Sequence, residues 1–302
     1  MTDIIKTVDL SKVYKGASVV KDVNLNIIKG ELYGFIGRNG AGKTTTMRMI
    51  LNLVKPTSGH VELFGEKVTD KNMPSNLRKI GAIIETPGFY MNLSARENLD
   101  IHRLMMNVSD KNSIERELVR VGLSEEGNKK VCNYSMGMRQ RLGIARALLH
   151  KPELLLLDEP INGLDPQGVV EIRELLLKIV AEGTTILVSS HILSEVERIV
   201  TRIGILNKGK LMEEISREDF QNKCRQIMVY KVDAVEKAAT IIRHYLNIED
   251  LSISDDTISF PSNGQVANGK LNKKLVDNEI EVIESKIIKS SLEEYFMDIT
   301  GV

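Results

Sequence analysis

Eight consecutive residues, Gly37-Arg38-Asn39-Gly40-Ala41-Gly42-Lys43-Thr44, carry the clearest chemistry in the chain. They match G-x-x-x-x-G-K-[ST], a spacing whose parts each answer a need of a bound polyphosphate. Glycines let the backbone wrap an anion without Cβ clashes, and successive N–H groups together with a helix N-terminus present positive dipole to it. Lys43 adds a mobile charge for the outer phosphates, and Thr44 a hydroxyl for magnesium. Residues 37–45, Thr45 included, are the expected phosphate-binding stretch. A second constellation follows at Leu154-Leu155-Leu156-Leu157-Asp158-Glu159, an apolar run ending in two acids. A buried strand offers paired carboxylates no inexpensive place except its end. Asp158 there would hold magnesium through water, and Glu159 would polarise an attacking water as general base. The chemistry is nucleoside triphosphate hydrolysis. A guanine reader of the N-K-x-D type is not formed, because Asn207-Lys208-Gly209-Lys210 fails at its last position.

These motifs need strands that end at them and helices that start from them. ELYGFIG (31–37) reads as a buried strand and AGKTTTMRMILNL as the helix after it; ELLLLDE (153–159) and TTILVSS (184–190) read as further strands. IGILNKGK (203–210) reads as a strand running into a turn, and VVEIRELLLKIVAEG has helical spacing. Short apolar runs alternating with amphipathic stretches predict an α/β domain with a largely parallel sheet over residues 1–215. Residues 216–302 read differently. QIMVYKV, AVEKAATIIRHYLN, LSISDDTISF with a turn at Asp255–Asp256, NGKLNKKLVDNEI, EVIESKIIKS and SLEEYFMDIT give the order β-α-β-β-α-β-α. That order predicts a small α+β accessory module, ferredoxin-like.

The 302 residues carry 41 Lys plus Arg against 41 Asp plus Glu, so bulk charge draws the molecule neither to nucleic acid nor to anionic lipid, and no nucleic-acid partner is expected. Cys132 and Cys224 share no close spacing and suggest neither a disulfide framework nor a zinc site, which points to a reducing compartment. The start, with Asp3 and no long apolar stretch, is unlike a secretory signal. No run approaches the roughly 18 apolar residues of a membrane helix.

Between the two motifs lies Tyr134-Ser135-Met136-Gly137-Met138-Arg139-Gln140-Arg141-Leu142-Gly143-Ile144-Ala145-Arg146. This resembles the Leu-Ser-Gly-Gly-Gln signature and following helix of ABC-type nucleotide-binding domains. The resemblance spans about residues 4–210 and implies a P-loop NTPase fold: a RecA-like core with a helical signature subdomain. It implies that Ser135 and Gly137 reach the γ-phosphate held by a second copy, although Met136 and Met138 replace the usual glycine and glutamine. It also implies that Tyr14 stacks on adenine and that Asn162-Gly163-Leu164-Asp165 joins two nucleotide sites across a dimer, with Asp165 at the nucleotide. His191, after TTILVSS, matches the histidine that senses γ-phosphate and orients water.

One position narrows the resemblance. Where the family normally has glutamine linking magnesium and attacking water to the transmembrane partner, Gly81-Ala82-Ile83-Ile84-Glu85-Thr86-Pro87 places Glu85. With Asn92-Leu93-Ser94-Ala95-Arg96-Glu97-Asn98-Leu99 and the ending Ser291-Leu292-Glu293-Glu294-Tyr295-Phe296, the chain is similar to the ATPases of bacitracin-resistance and lantibiotic-immunity exporters. That implies catalytic roles for Glu159, His191 and Glu85, magnesium held by Thr44, Glu85 and Asp158, and ATP as the cofactor. It implies a homodimeric sandwich, a separate integral-membrane permease, and a cytoplasmic position on the inner face of the membrane. The alternatives are the same ATPase serving a drug or lipid, or a non-transport ABC ATPase acting on ribosome or DNA. The second usually carries tandem ATPase domains or an inserted coiled coil, and one motif set without such an insertion speaks against it.

Overall fold

The computed structural model describes residues 3–223, 226–248, 251–262, 268–289 and 291–301; Cys224 lies outside them. Its chain divides into two compact units, Met1–Arg217 and Glu218–Val302. The larger unit is built on a six-stranded sheet in the order Lys210–Ser216, Arg202–Asn207, Leu32–Ile36, Thr185–Ser190, Leu154–Asp158, Ile80–Ile83. The last five are mutually parallel, and only the edge strand Lys210–Ser216 is antiparallel. Strands covered on both faces read as continuous apolar runs rather than alternating ones. Leu154 to Leu157 are such a run, each wholly buried. At about 1.5–3 kcal/mol per buried aliphatic side chain, this strand anchors the position of the acids at its end.

A second sheet was not legible in the sequence. Asp3–Tyr14 pairs antiparallel with Ala17–Val23, Asn26–Ile28 and Ser58–Leu63, and Ser58–Leu63 continues to Glu66–Lys67. No helix separates most of these strands, and short connections enforce antiparallel pairing. Lys15–Gly16, Phe64–Gly65 and Lys208–Gly209 each put two successive residues at positive φ, the geometry of two-residue hairpins whose twist matches the strands.

Helices Ala95–Met105, Asn112–Arg120 and Met136–Leu148 pack on one another as a helical subdomain. Ser94 and Glu97 form a reciprocal capping box at the first, and Ser135 caps the third by accepting the Met138 N–H at 3.2 Å. Met136–Leu148 lies close against the segment after Ile80–Ile83, because a Cβ on Gly143 would stand 3.0 Å from Pro87 Cβ. Arg146 completes the clamp, donating to the Gly88 carbonyl and lying 4.8 Å from the centre of the Phe89 ring.

In the smaller unit the strands run Ser252–Ser254, Thr257–Ser262, Gln226–Val232, Val282–Lys289, all antiparallel. Helices Val235–Leu246 and Asn268–Asp277 pack on the sheet, and Met228, Tyr230, Phe260, Leu271 and Leu275 are buried in the core. The order and pairing are those of a split β-α-β, ferredoxin-like module.

Burial, then the nearby Arg146 and His150, lowers the pKa of His102 from its ordinary 6.5 to about 4. The folded state therefore binds fewer protons than the unfolded one between those values, so stability is full above 6.5 and falls as pH drops toward 4. His102→Asn is expected to flatten that part of the acid-denaturation profile. Parallel profiles for the two proteins would rule the effect out.

Candidate active site

Strand ends bring the chemistry together. Leu32–Ile36 and Leu154–Asp158 flank Thr185–Ser190 in the parallel sheet, so all three finish at the same carboxyl edge, where ligands of open α/β sheets bind. The chain leaves Ile36 into the phosphate loop and enters the helix Lys43–Ile50 through Gly42, at φ 108°. A side chain there would be both strained and blocked, since its Cβ would lie 2.8 Å from the Val19 carbonyl oxygen.

Lys43 is buried to 5% exposure, and its ammonium donates to the Gly37 carbonyl at 2.6 Å and pairs with Glu159 at 3.1 Å. The Thr44 hydroxyl donates to Asp158 Oδ2 at 2.7 Å, and the Ser189 hydroxyl donates to Asp158 Oδ1. Ser189 Oγ also accepts the Glu159 N–H at 3.0 Å, so one hydroxyl ties both acids to the neighbouring strand. Glu159 sits in the left-handed region at φ 51°, which swings it off the strand axis toward Lys43 and His191. His191 Nδ1 lies 2.8 Å from Glu159 Oε2. The carboxylate is thus held from both sides, by an imidazole and by an ammonium.

A cavity of about 370 Å³ is lined by Asn39 to Thr45, with Val19, Arg48, Glu85 and Glu159. Glu85, also left-handed at φ 65°, forms an ion pair with Arg48 at the rim. The hydroxyl and two carboxylates of Thr44, Asp158 and Glu85 are hard oxygen donors, the set magnesium takes. Among the described residues no group of three or more His, Cys, Asp or Glu could hold a metal unaided.

Ser135, Gly137 and Asp165 stand elsewhere. They line a separate cavity of about 490 Å³ with Met136, Arg141, Leu164 and Glu171. Asp165 caps the helix Pro166–Ala181 by accepting the Gly168 N–H at 2.9 Å. Tyr14 ends its strand half-exposed, with the Lys12 ammonium 5.0 Å from its ring centre, on the hairpin that carries Val19. The sequence reading missed Ser189 and Arg48. A Ser-Ser pair closing an otherwise apolar strand was the signal for the first; for the second, spacing one turn beyond Thr44.

A strand, glycine-rich loop and helix next to an acid-tipped parallel strand define a P-loop nucleoside triphosphatase. The family model described as ABC transporter matches residues 20–162. The chain is 47% identical to the bacitracin transport ATP-binding protein BcrA of Bacillus licheniformis, across all of this chain and 98% of that protein. It is 43% identical to the lantibiotic transport ATP-binding protein SrtF of Streptococcus pyogenes, over 72% of this chain and 93% of that one. A solved dimer of the ATP-binding cassette MJ0796 bound to ADP and Pi superposes with a TM-score of 0.65 at 29% identity, covering 71% of this chain and 99% of that one. The chain belongs to the ATP-binding proteins of the ABC transporter family, and it is an ATPase.

Ser189→Ala leaves Asp158 short of one donor and frees the Glu159 N–H. The expected result is a kcat lower by about tenfold with the KM for ATP little changed, as for other groups that orient metal ligands. Steady-state kinetics with kcat intact would remove Ser189 from the site.

Proposed function

We propose that the chain powers export of, or self-protection against, peptide antibiotics of the bacitracin and lantibiotic kind, working through a separate membrane permease. The observation that supports its ATP-driven part is the network joining Lys43 to Glu159, Thr44 to Asp158 and His191 to Glu159, with Lys43, Thr44 and Glu159 lining the phosphate cavity. The cargo rests on full-length similarity to BcrA and on a carboxylate at position 85. No helix among the described residues is long and apolar enough to cross a membrane. In this reading the membrane step belongs to the permease, with the chain at the inner face of the membrane.

ATP lies along residues 37–45 with its outer phosphates against Lys43, and Tyr14 offers its exposed ring to the adenine. Thr44, Asp158 and Glu85 would hold magnesium, whose charge would offset the negative charge of the phosphates. Lys43 exchanges Glu159 for phosphate, which leaves that carboxylate to His191 and the attacking water. Glu159 takes the water proton, while His191 holds Glu159 in place through Nδ1. Ser135 keeps its hydroxyl proton available, because its oxygen serves as the cap acceptor. With Gly137 and Asp165 it lines a cavity apart from the phosphate loop, an arrangement that suits service to a second copy's nucleotide. Two chains then enclose two ATP molecules, and hydrolysis reopens them.

Glu159→Gln is expected to lower hydrolysis by about a hundredfold or more and to accumulate an ATP-bound dimer on size exclusion. A variant that stays monomeric with saturating ATP and magnesium would sink the sandwich. In cells that hold the permease, Glu85→Ala should abolish resistance to the peptide antibiotic. Unchanged resistance at normal expression would count against this role for Glu85.

A further inference from the structure

Arg48 lies one turn beyond Thr44 on the helix Lys43–Ile50, so the two side chains leave the same face. Thr44 uses that face to hold Asp158, and Arg48 uses it to hold Glu85 through Nη2 and Oε1. Arg48 and Glu85 both line the phosphate cavity. At 37% and 64% exposure the pair contributes little to stability, so its members exchange partners readily. Glu85 is itself directed by a left-handed backbone that a residue with a Cβ seldom adopts. An amide at position 85 would give the guanidinium no charge to hold.

We propose that Arg48 is a positioning residue for Glu85: it holds the carboxylate at the cavity rim and competes for it with the nucleotide-bound cation. The inference rests on the reading of Glu85 as a cation-facing group. With Arg48 present, the Glu85 carboxylate is engaged at the rim and is shared between the guanidinium and the nucleotide-bound cation. Without it, Glu85 is released to that cation, which favours the nucleotide–cation complex over bare nucleotide.

The test is the affinity of the full chain for a non-hydrolysable ATP analogue, measured by calorimetry with magnesium and again with EDTA. The readout is the ratio of the two affinities. Arg48→Ala should raise that ratio by about three- to fivefold, the range open to an exposed pair. Arg48→Lys should restore the wild-type ratio, and Glu85→Gln should lower it. In the Glu85→Gln background, Arg48→Ala should leave the ratio where Glu85→Gln set it. An equal rise in both backgrounds overturns the proposal, because Arg48 would then act on the phosphates directly. A ratio moved by Glu85→Gln and not by Arg48→Ala overturns it while leaving the reading of Glu85 intact. If neither variant moves the ratio, both fall. A merely structural role would shift the two affinities together and leave their ratio alone.

Discussion

Two adjacent carboxylates at the end of a fully buried strand are costly unless donors and cations meet them. The neighbours of Asp158 and Glu159 meet that demand one by one. Thr44 and Ser189 donate to Asp158, and Lys43 and His191 face Glu159. They come from three elements: Lys43 and Thr44 from the phosphate helix, Ser189 from the central strand and His191 from the loop after it. A shift of any one of them leaves an acid with a single partner. The apolar strand and the phosphate loop are thus parts of one electrostatic arrangement, and the parallel sheet is what keeps their ends in register.

That arrangement also explains what could be read from the amino-acid sequence. Gly37 to Thr44 and Leu154 to Glu159 are local patterns whose chemistry depends on spacing along the chain, so both were visible. The strand bounds were visible too, because wholly buried parallel strands are apolar without interruption. Ser189 was hidden because its value lies in register: it stands opposite both Asp158 and Phe35 across the sheet. Arg48 was hidden for a related reason, since its partner lies 37 residues away in another element. The antiparallel sheet around Asp3–Tyr14 escaped because its strands mix buried and exposed positions irregularly, with register shifts near Asp9. The second unit was legible because its two long helices, Val235–Leu246 and Asn268–Asp277, carry apolar residues at helical spacing between short strands.

The placement of Ser135 and Gly137 follows from capping physics rather than from nucleotide binding. A helix start leaves N–H groups unsatisfied, and Ser135 answers one of them with its side-chain oxygen. The remaining free donors, together with the helix dipole, point where an anion would be favoured. Helix Pro166–Ala181 begins beside the same cavity and is capped by Asp165, so two positive helix ends converge there. The negative charge of Asp165 is already engaged with the Gly168 N–H, which leaves Ser135 and Gly137 as the more open donors of the pair.

The methionine at position 136 has a physical role in that convergence. A Cβ built on Gly163 would stand 3.0 Å from Met136 Cε and 3.3 Å from its sulfur, so the thioether lies directly over this glycine. Gly163 is at φ 73°, in the turn that leads to Asp165. A glycine at position 136 would remove that contact and leave the turn and the signature helix to move separately. Methionine fills irregular gaps with little strain, because it is unbranched and flexible. The substitution therefore leaves the cap at Ser135 intact while joining the two helix starts through an apolar contact.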